Sequence, residues 1–145
     1  MLKLIRTTIA TAIFGTTIAI AGAVVAEGFS VSPTSLTVPA GGQQTTLTVE
    51  SSGAGETLGQ VRVMRWLRDG GQNKLIPTRD VVASPPALRM RENQEITIRL
   101  IRTATTPVTG QECYRVLVDQ LPGPRERDDG VRFMLRHSVP LCFLS

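Results

Sequence analysis

The sequence predicts an all-β fold, an immunoglobulin-like antiparallel β-sandwich of about seven strands. Three observations carry this reading. Apolar and polar residues alternate over short runs, which is the period of a half-buried strand. Turn signals recur roughly every 8–12 residues. Helical periodicity is almost absent after residue 26. A small closed barrel is the alternative architecture.

The chain opens with "MLKLIR", which carries Lys3 and Arg6, followed by the uncharged stretch "TTIATAIFGTTIAIAGAVVA". Val24 and Ala26 are small residues at the −3 and −1 positions of a cleavage site. Residues 1–26 therefore read as a secretory signal peptide, leaving 27–145 as one exported domain. The stretch is also long enough for a single membrane anchor. Its small-residue ending and the immediate switch to strand-like sequence favour cleavage.

"FSVSPTSLTV" alternates but holds Pro33, so it reads as an edge strand with a kink. Gly41–Gly42 is a turn, "QTTLTVE" a strand and "SSGAGETLG" a loop. "QVRVMRWL" is a strand with Val61, Val63 and Arg65 on one face and Met64 and Trp66 on the other. Trp66 is expected to be the buried tryptophan of the sandwich core. "RDGGQN" has hairpin-turn chemistry. "KLIPTRDVVASPPALRM", with three prolines, reads as irregular. "QEITIRLIR" sets Ile96, Ile98 and Leu100 against Thr97, Arg99 and Ile101. "TATTPVTGQE" is a loop, "CYRVLVDQL" a strand and "PGPRERDDG" a polar loop. The last strand follows, with an apolar edge of Val131, Phe133, Leu135, Val139, Leu141 and Phe143.

Without residues 1–26 the chain keeps 14 basic and 12 acidic residues, a net charge of +2. This is too small for a nucleic-acid footprint, and the basic residues are scattered singly along strands. "GAGETLG" precedes a strand and lacks the spacing of a phosphate-binding loop. His137 has no nucleophile beside it in sequence, so no enzyme is read here. One histidine and two cysteines are too few for a structural metal site, and no cofactor or small-molecule substrate is indicated. If the strands starting at Cys113 and Val131 form a hairpin, the loop sets Leu121 near Val131 to Leu135. Paired positions then sum to roughly 252–256, a range that admits Cys113 facing Cys142 and, in the same register, Arg115 facing Pro140. Export and register agree on a disulfide, worth about 3 kcal/mol in the chain-entropy model. Two unpaired buried thiols are the alternative.

"FSVSPTSLTV", "VRVMRWLRDGGQNKLIPTRDVVASPPALRMRENQEITIRLIR", "CYRVLVDQLPGP" and "GVRFMLRHSVPL" together resemble the N-terminal domain of PapD-like periplasmic pilus chaperones. "SPTSLTV", "YRVLVDQLP" and "VPL" are most similar to the archaic, Csu-like branch. The resemblance implies that the last strand is donated to the incomplete immunoglobulin fold of a pilin subunit. Backbone hydrogen bonds would supply affinity, and alternate side chains would fill pockets. Val131, Phe133 and Leu135 match the family's donor positions. Pilin subunits and an outer-membrane usher are the implied partners.

Two departures stand out. The family anchors the pilin C-terminal carboxylate with a basic residue on the first strand and a lysine on the last. Ser35 and Pro140 hold those positions here. Arg115, opposite Pro140, is the replacement candidate, because its fork suits a carboxylate; an ordinary surface ion pair is the alternative. The family also has two domains, whereas this sequence reads as the first, which implies a cleft with one wall. A rival function is a secreted β-sandwich subunit of a pilus or coat. Such a subunit needs an N-terminal donor extension, but "EGFSVSPTSLTV" leads directly into the kinked edge strand.

Overall fold

Pro33 does more than kink the first strand. In the computed structural model, which describes residues 28–53, 55–123 and 134–145, the two halves of "FSVSPTSLTV" join different sheets. Gly28–Ser32 (β1) pairs antiparallel with Gln44–Ser52 (β3), while Leu36–Val38 (β2) pairs parallel with the last strand. A proline has no N–H for a continuous ladder, so the sheet switch occurs where pairing must lapse anyway.

The remaining strands are Thr57–Asp69 (β4), Gln72–Pro77 (β5), Val81–Ser84 (β6), Ala87–Met90 (β7), Glu95–Arg102 (β8), Gln111–Leu121 (β9) and Arg136–Leu144 (β10). One sheet has the order β1-β3-β8-β6. The other runs β2-β10-β9-β4-β5, with β7 also on β4. The expected sandwich is present, with one parallel pair, β2 on β10, among otherwise antiparallel neighbours. The strands number ten among the described residues, rather than about seven. "KLIPTRDVVASPPALRM", expected to be irregular, holds most of β5 and all of β6 and β7. Its prolines sit at or between the strand ends, so they divide short strands without preventing them.

The hairpin turn between β4 and β5 is as the sequence implies. Gly70 and Gly71 both have positive φ, 57° and 82°, and link the Asp69–Gln72 pair. That is the backbone of a two-residue primed turn, which matches the strand twist. Between the sheets lie Leu47, Val49, Ile98, Leu100, Tyr114, Val116, Val118, Leu141 and Phe143, all fully buried. Tyr114 and Phe143 meet edge to face, with ring centroids 6.0 Å apart. Gly59 completes the packing, since a Cβ there would lie 2.6 Å from the Phe29 ring.

Trp66 corrects an expectation. It is half-buried on the outer face of its sheet, not in the core. Its indole N–H donates to Asn73 Oδ1 at 3.1 Å. On β4 the core face carries Val61 and Val63, and Trp66 has the opposite parity. Phe29, Tyr114 and Phe143 supply the core aromatics in its place.

Candidate functional site: the edge of the last strand

The β9–β10 hairpin has the register expected from the sequence. Cys142 is opposite Cys113, Pro140 opposite Arg115 and Arg136 opposite Asp119. Cys113 and Cys142 are bridged, with Cα atoms 4.2 Å apart. Such closeness belongs to a non-hydrogen-bonded antiparallel pair, where side chains approach most nearly.

That parity governs the whole strand. The amide of Gln120 donates to the carbonyl of Leu135 at 3.0 Å, and that of Ser145 to Gly110 at 3.0 Å. Odd-numbered residues of β10 thus bond to β9, and even-numbered ones turn their backbone groups the other way. On that other side, β2 covers only Leu141–Phe143. Among the described residues, Arg136–Pro140 therefore has an open edge. β1 meets this stretch through the His137 ring, whose Nε2 lies 2.7 Å from the Phe29 carbonyl oxygen.

Side chains alternate as the backbone does. Val139, Leu141 and Phe143 point into the core. Leu135, two residues beyond His137 on the same face, is 45 % exposed, and Met134 beside it is 49 % exposed. Leu121 is exposed as well, and these residues line a shallow depression with Arg62, Asp119 and Arg136. The expected donor residues Val131 and Phe133 lie outside the described residues; Leu135 is the one whose position is seen.

Charges fasten the base of this edge. Asp119 is buried and accepts from Arg62 Nε at 3.0 Å and from Arg136. The contact therefore spans β4, β9 and β10. Burial pulls the Asp119 pKa upward, but the hydrogen bonds from Arg136 and Arg62 and their charges outweigh it and hold the carboxyl below its ordinary value. At the far end of the strands Arg102 is buried on Glu112 at 3.0 Å, and the Tyr114 hydroxyl donates to the same carboxylate. Burial likewise opposes ionisation of Glu112, and the bonds from Arg102 and Tyr114 reverse the balance downward.

Arg115 sits on the outer face, level with Pro140. Its guanidinium lies 4.1 Å from the centroid of the Trp66 ring, and that of Arg68 lies 4.7 Å from it. Both distances are within the range of a cation–π contact. The sequence places Arg115 opposite Pro140, as the structure does, but gives no sign of the Trp66 ring beside it, because Trp66 is expected there in the core.

The model of the pili and flagellar-assembly chaperone family, PapD N-terminal domain, matches residues 28–144. The chain belongs to this family. No curated protein matches it. Among solved structures, it is similar to a chain of the CsuC–CsuE chaperone–tip adhesion subunit pre-assembly complex from archaic chaperone-usher Csu pili of Acinetobacter baumannii. That match has 25% identity and a TM-score of 0.70, covering 81% of this chain and 51% of the other. The structure of Salmonella enterica SafA pilin with the SafB chaperone contains a chain similar at 20% identity and TM-score 0.62, covering 81% and 54%. The periplasmic chaperone SfaE matches at 20% identity and TM-score 0.61, covering 81% and 57%. The protein thus spans about half the length of these solved chains. A pilus chaperone domain, rather than a pilus or coat subunit, is the family identity that these matches carry.

Proposed function

We propose that the chain is a periplasmic chaperone that binds pilus subunits by strand addition at the β10 edge, with the usher as a further partner. Residues 1–26 serve as a cleaved signal peptide that delivers it there. The observation that supports this reading best is the open edge of Arg136–Pro140, beside exposed Leu121, Met134 and Leu135. An unpaired edge carrying apolar side chains is an aggregation hazard unless it has a partner. In a family of pilus chaperones, that partner is a pilin with an unfilled groove. Val131, Phe133 and Leu135 fill the groove, and Arg115 holds the pilin C-terminal carboxylate.

Co-purification tests the donor strand. Phe133→Asp keeps the fold and abolishes capture of a pilin subunit. Equal capture by the variant sinks the assignment, and an unfolded variant places Phe133 in the chaperone's own core instead. Arg115→Ala weakens binding about tenfold or more, since charge-assisted bonds are worth roughly 1.5–3 kcal/mol. Arg115→Lys restores only part of it, because an ammonium lacks the fork. Pairing Arg115→Ala with amidation of the pilin C-terminus in a double-mutant cycle isolates the contact. Additive losses mean that Arg115 does not touch the carboxylate.

A further inference from the structure

The methionines among the described residues differ in access. Met90 is fully buried in the core, Met64 is half-buried on the outer face of its sheet, and Met134 is 49 % exposed beside the open edge. Continuing the β9–β10 register one step past the bond between Gln120 and Leu135 sets Met134 level with Leu121. Leu121 in turn pairs with Leu58 on β4. The three form an apolar row across the outer face, and Met134 ends it at the edge. The same shallow depression holds Arg62 and Arg136. Both bond Asp119, but a guanidinium has five N–H donors, so each keeps others for a further acceptor.

We propose that Met134 is a modification site, an oxidation switch at the lip of the edge whose oxidant is a hydroperoxide. The thioether sulfur attacks the peroxide, the O–O bond breaks, and one oxygen atom passes to the sulfur. Methionine becomes its sulfoxide, and the peroxide leaves as water or an alcohol. The sulfur loses two electrons and the O–O bond gains them. No thiol competes, because Cys113 and Cys142 are bridged, and the exposed neighbours Leu121 and Leu135 are inert to this chemistry. The product is polar, and its oxygen is an acceptor within a depression that already holds two guanidiniums. An apolar lip beside an added pilin strand thus becomes a hydrated dipole, and capture weakens. The fold is spared, because Met134 is no part of the core cluster. A methionine sulfoxide reductase reverses the step, its dithiol supplying two electrons and the oxygen leaving as water. The consequence for capture rests on the strand-addition reading above.

Dilute hydrogen peroxide on the folded, disulfide-bonded chain tests this, with peptide mass mapping to follow the gain of one oxygen atom at each methionine. Met134 is expected to oxidise first, Met64 more slowly and Met90 only on unfolding. If Met134 reacts no faster than Met64, the proposal is overturned without any pilin. Urea denaturation should find the stability of the treated chain unchanged; a large loss would place Met134 in the packing instead of at a switch. The peroxide is then removed, and a pilin subunit retained by the untreated chain serves as the probe. The Met134 sulfoxide form is expected to bind it about 3- to 30-fold more weakly, the worth of one part-buried apolar side chain. Methionine sulfoxide reductases A and B, one for each epimer, should restore binding. Met134→Leu should bind as the wild type does and keep binding after peroxide. If this variant loses capture as the wild type does, another residue carries the effect and the switch is refuted. If the sulfoxide form binds as tightly as the thioether form, the switch is refuted while strand addition stands. If the untreated chain retains no pilin subunit, the strand-addition reading fails, and the switch falls with it.

Discussion

The two halves of β10 share one alternation and have opposite environments. From Val139 to Phe143 the odd residues are buried, β9 pairs throughout, β2 covers Leu141–Phe143, and a disulfide ties Cys142 to Cys113. From Leu135 to Ser138, β9 is the only strand among the described residues that pairs with the chain, and the leucine that continues the odd face is 45 % exposed. Alternation fixes which residues share a face but not what that face meets. Neighbouring strands decide that, and β2 is only three residues long. The short strand β2, separated from β1 at Pro33, therefore divides β10 into a structural half and an available half.

The largest effect that this division implies is at Phe143. It is fully buried and packs edge-on against Tyr114. Phe143→Asp removes the ring and buries an unpaired carboxylate, at a cost of about 5 kcal/mol or more. That approaches the whole stability of an ordinary domain, about 5–15 kcal/mol. The variant is expected to be unfolded by circular dichroism and chemical shift dispersion. A folded Phe143→Asp would erase the distinction between the halves.

The disulfide comes next. It closes a sequence separation of 29 residues. In the chain-entropy model its removal costs about 3–4 kcal/mol. Urea denaturation of the Cys113→Ser/Cys142→Ser variant against the oxidised protein measures this. Mass measurement after alkylation without reductant should find no free thiol in oxidised, exported material. Two alkylatable thiols would refute the bridge.

The register behind that bridge is legible to within a few residues, because two long strands and one intervening loop leave few ways to pair. The Cys113–Cys142 and Arg115–Pro140 pairs fall inside that range, and the structure selects them. The split of "FSVSPTSLTV" between sheets was not legible. Pro33 announces a break, but whether the chain resumes in the same sheet depends on which edge is vacant. β6 and β7 were hidden for a related reason, since each is four residues long and too short to show a period of its own. Trp66 is misplaced because the immunoglobulin-like fold class suggests a core tryptophan, while the strand's alternation, which already groups it with Met64, puts it on the outer face. The open edge itself is a property of pairing between distant segments, and the local sequence carries no sign of it.

A smaller effect lies at the boundary between the halves, where Asp119 joins Arg62 and Arg136. The Asp119 pKa is lowered in the folded chain, so the unfolded chain binds its proton more readily. The stabilisation is complete above the ordinary carboxylate value, near about pH 4. It is lost as pH falls through the folded value. Asp119→Asn should therefore lower stability at pH 7 by about 1–2 kcal/mol, discounted because both arginines are partly exposed. It should also flatten part of the loss on acidification. Denaturation midpoints from pH 7 to pH 3 check both, and an unchanged acid limb would remove Asp119 from the account. Glu112, whose pKa is also lowered, leaves a residual slope in the variant.

The smallest effect on stability, and the sharpest contrast, is at Leu135. It lies on the same face of the strand as Phe143, and the chemical change Leu135→Asp is of the same kind. In the free domain this side chain is 45 % exposed, so an aspartate there stays hydrated and leaves no cavity behind. It lies beside Gly28, where an added Cβ would be 3.0 Å from the leucine Cδ1. The bonds of Leu135 to β9 are made by its backbone, which the substitution keeps. The expected change in stability is within about 0.5 kcal/mol, as for surface sites generally. The expected change in pilin capture is large, because a carboxylate cannot enter an apolar groove without losing its water. Measuring both on one preparation separates the roles of the two halves. If Leu135→Asp unfolds the domain as Phe143→Asp does, Leu135 is core and the available half begins further toward residue 131. If it changes neither stability nor capture, the donated segment ends before Leu135, and the edge from Arg136 to Ser138 contributes through its backbone alone.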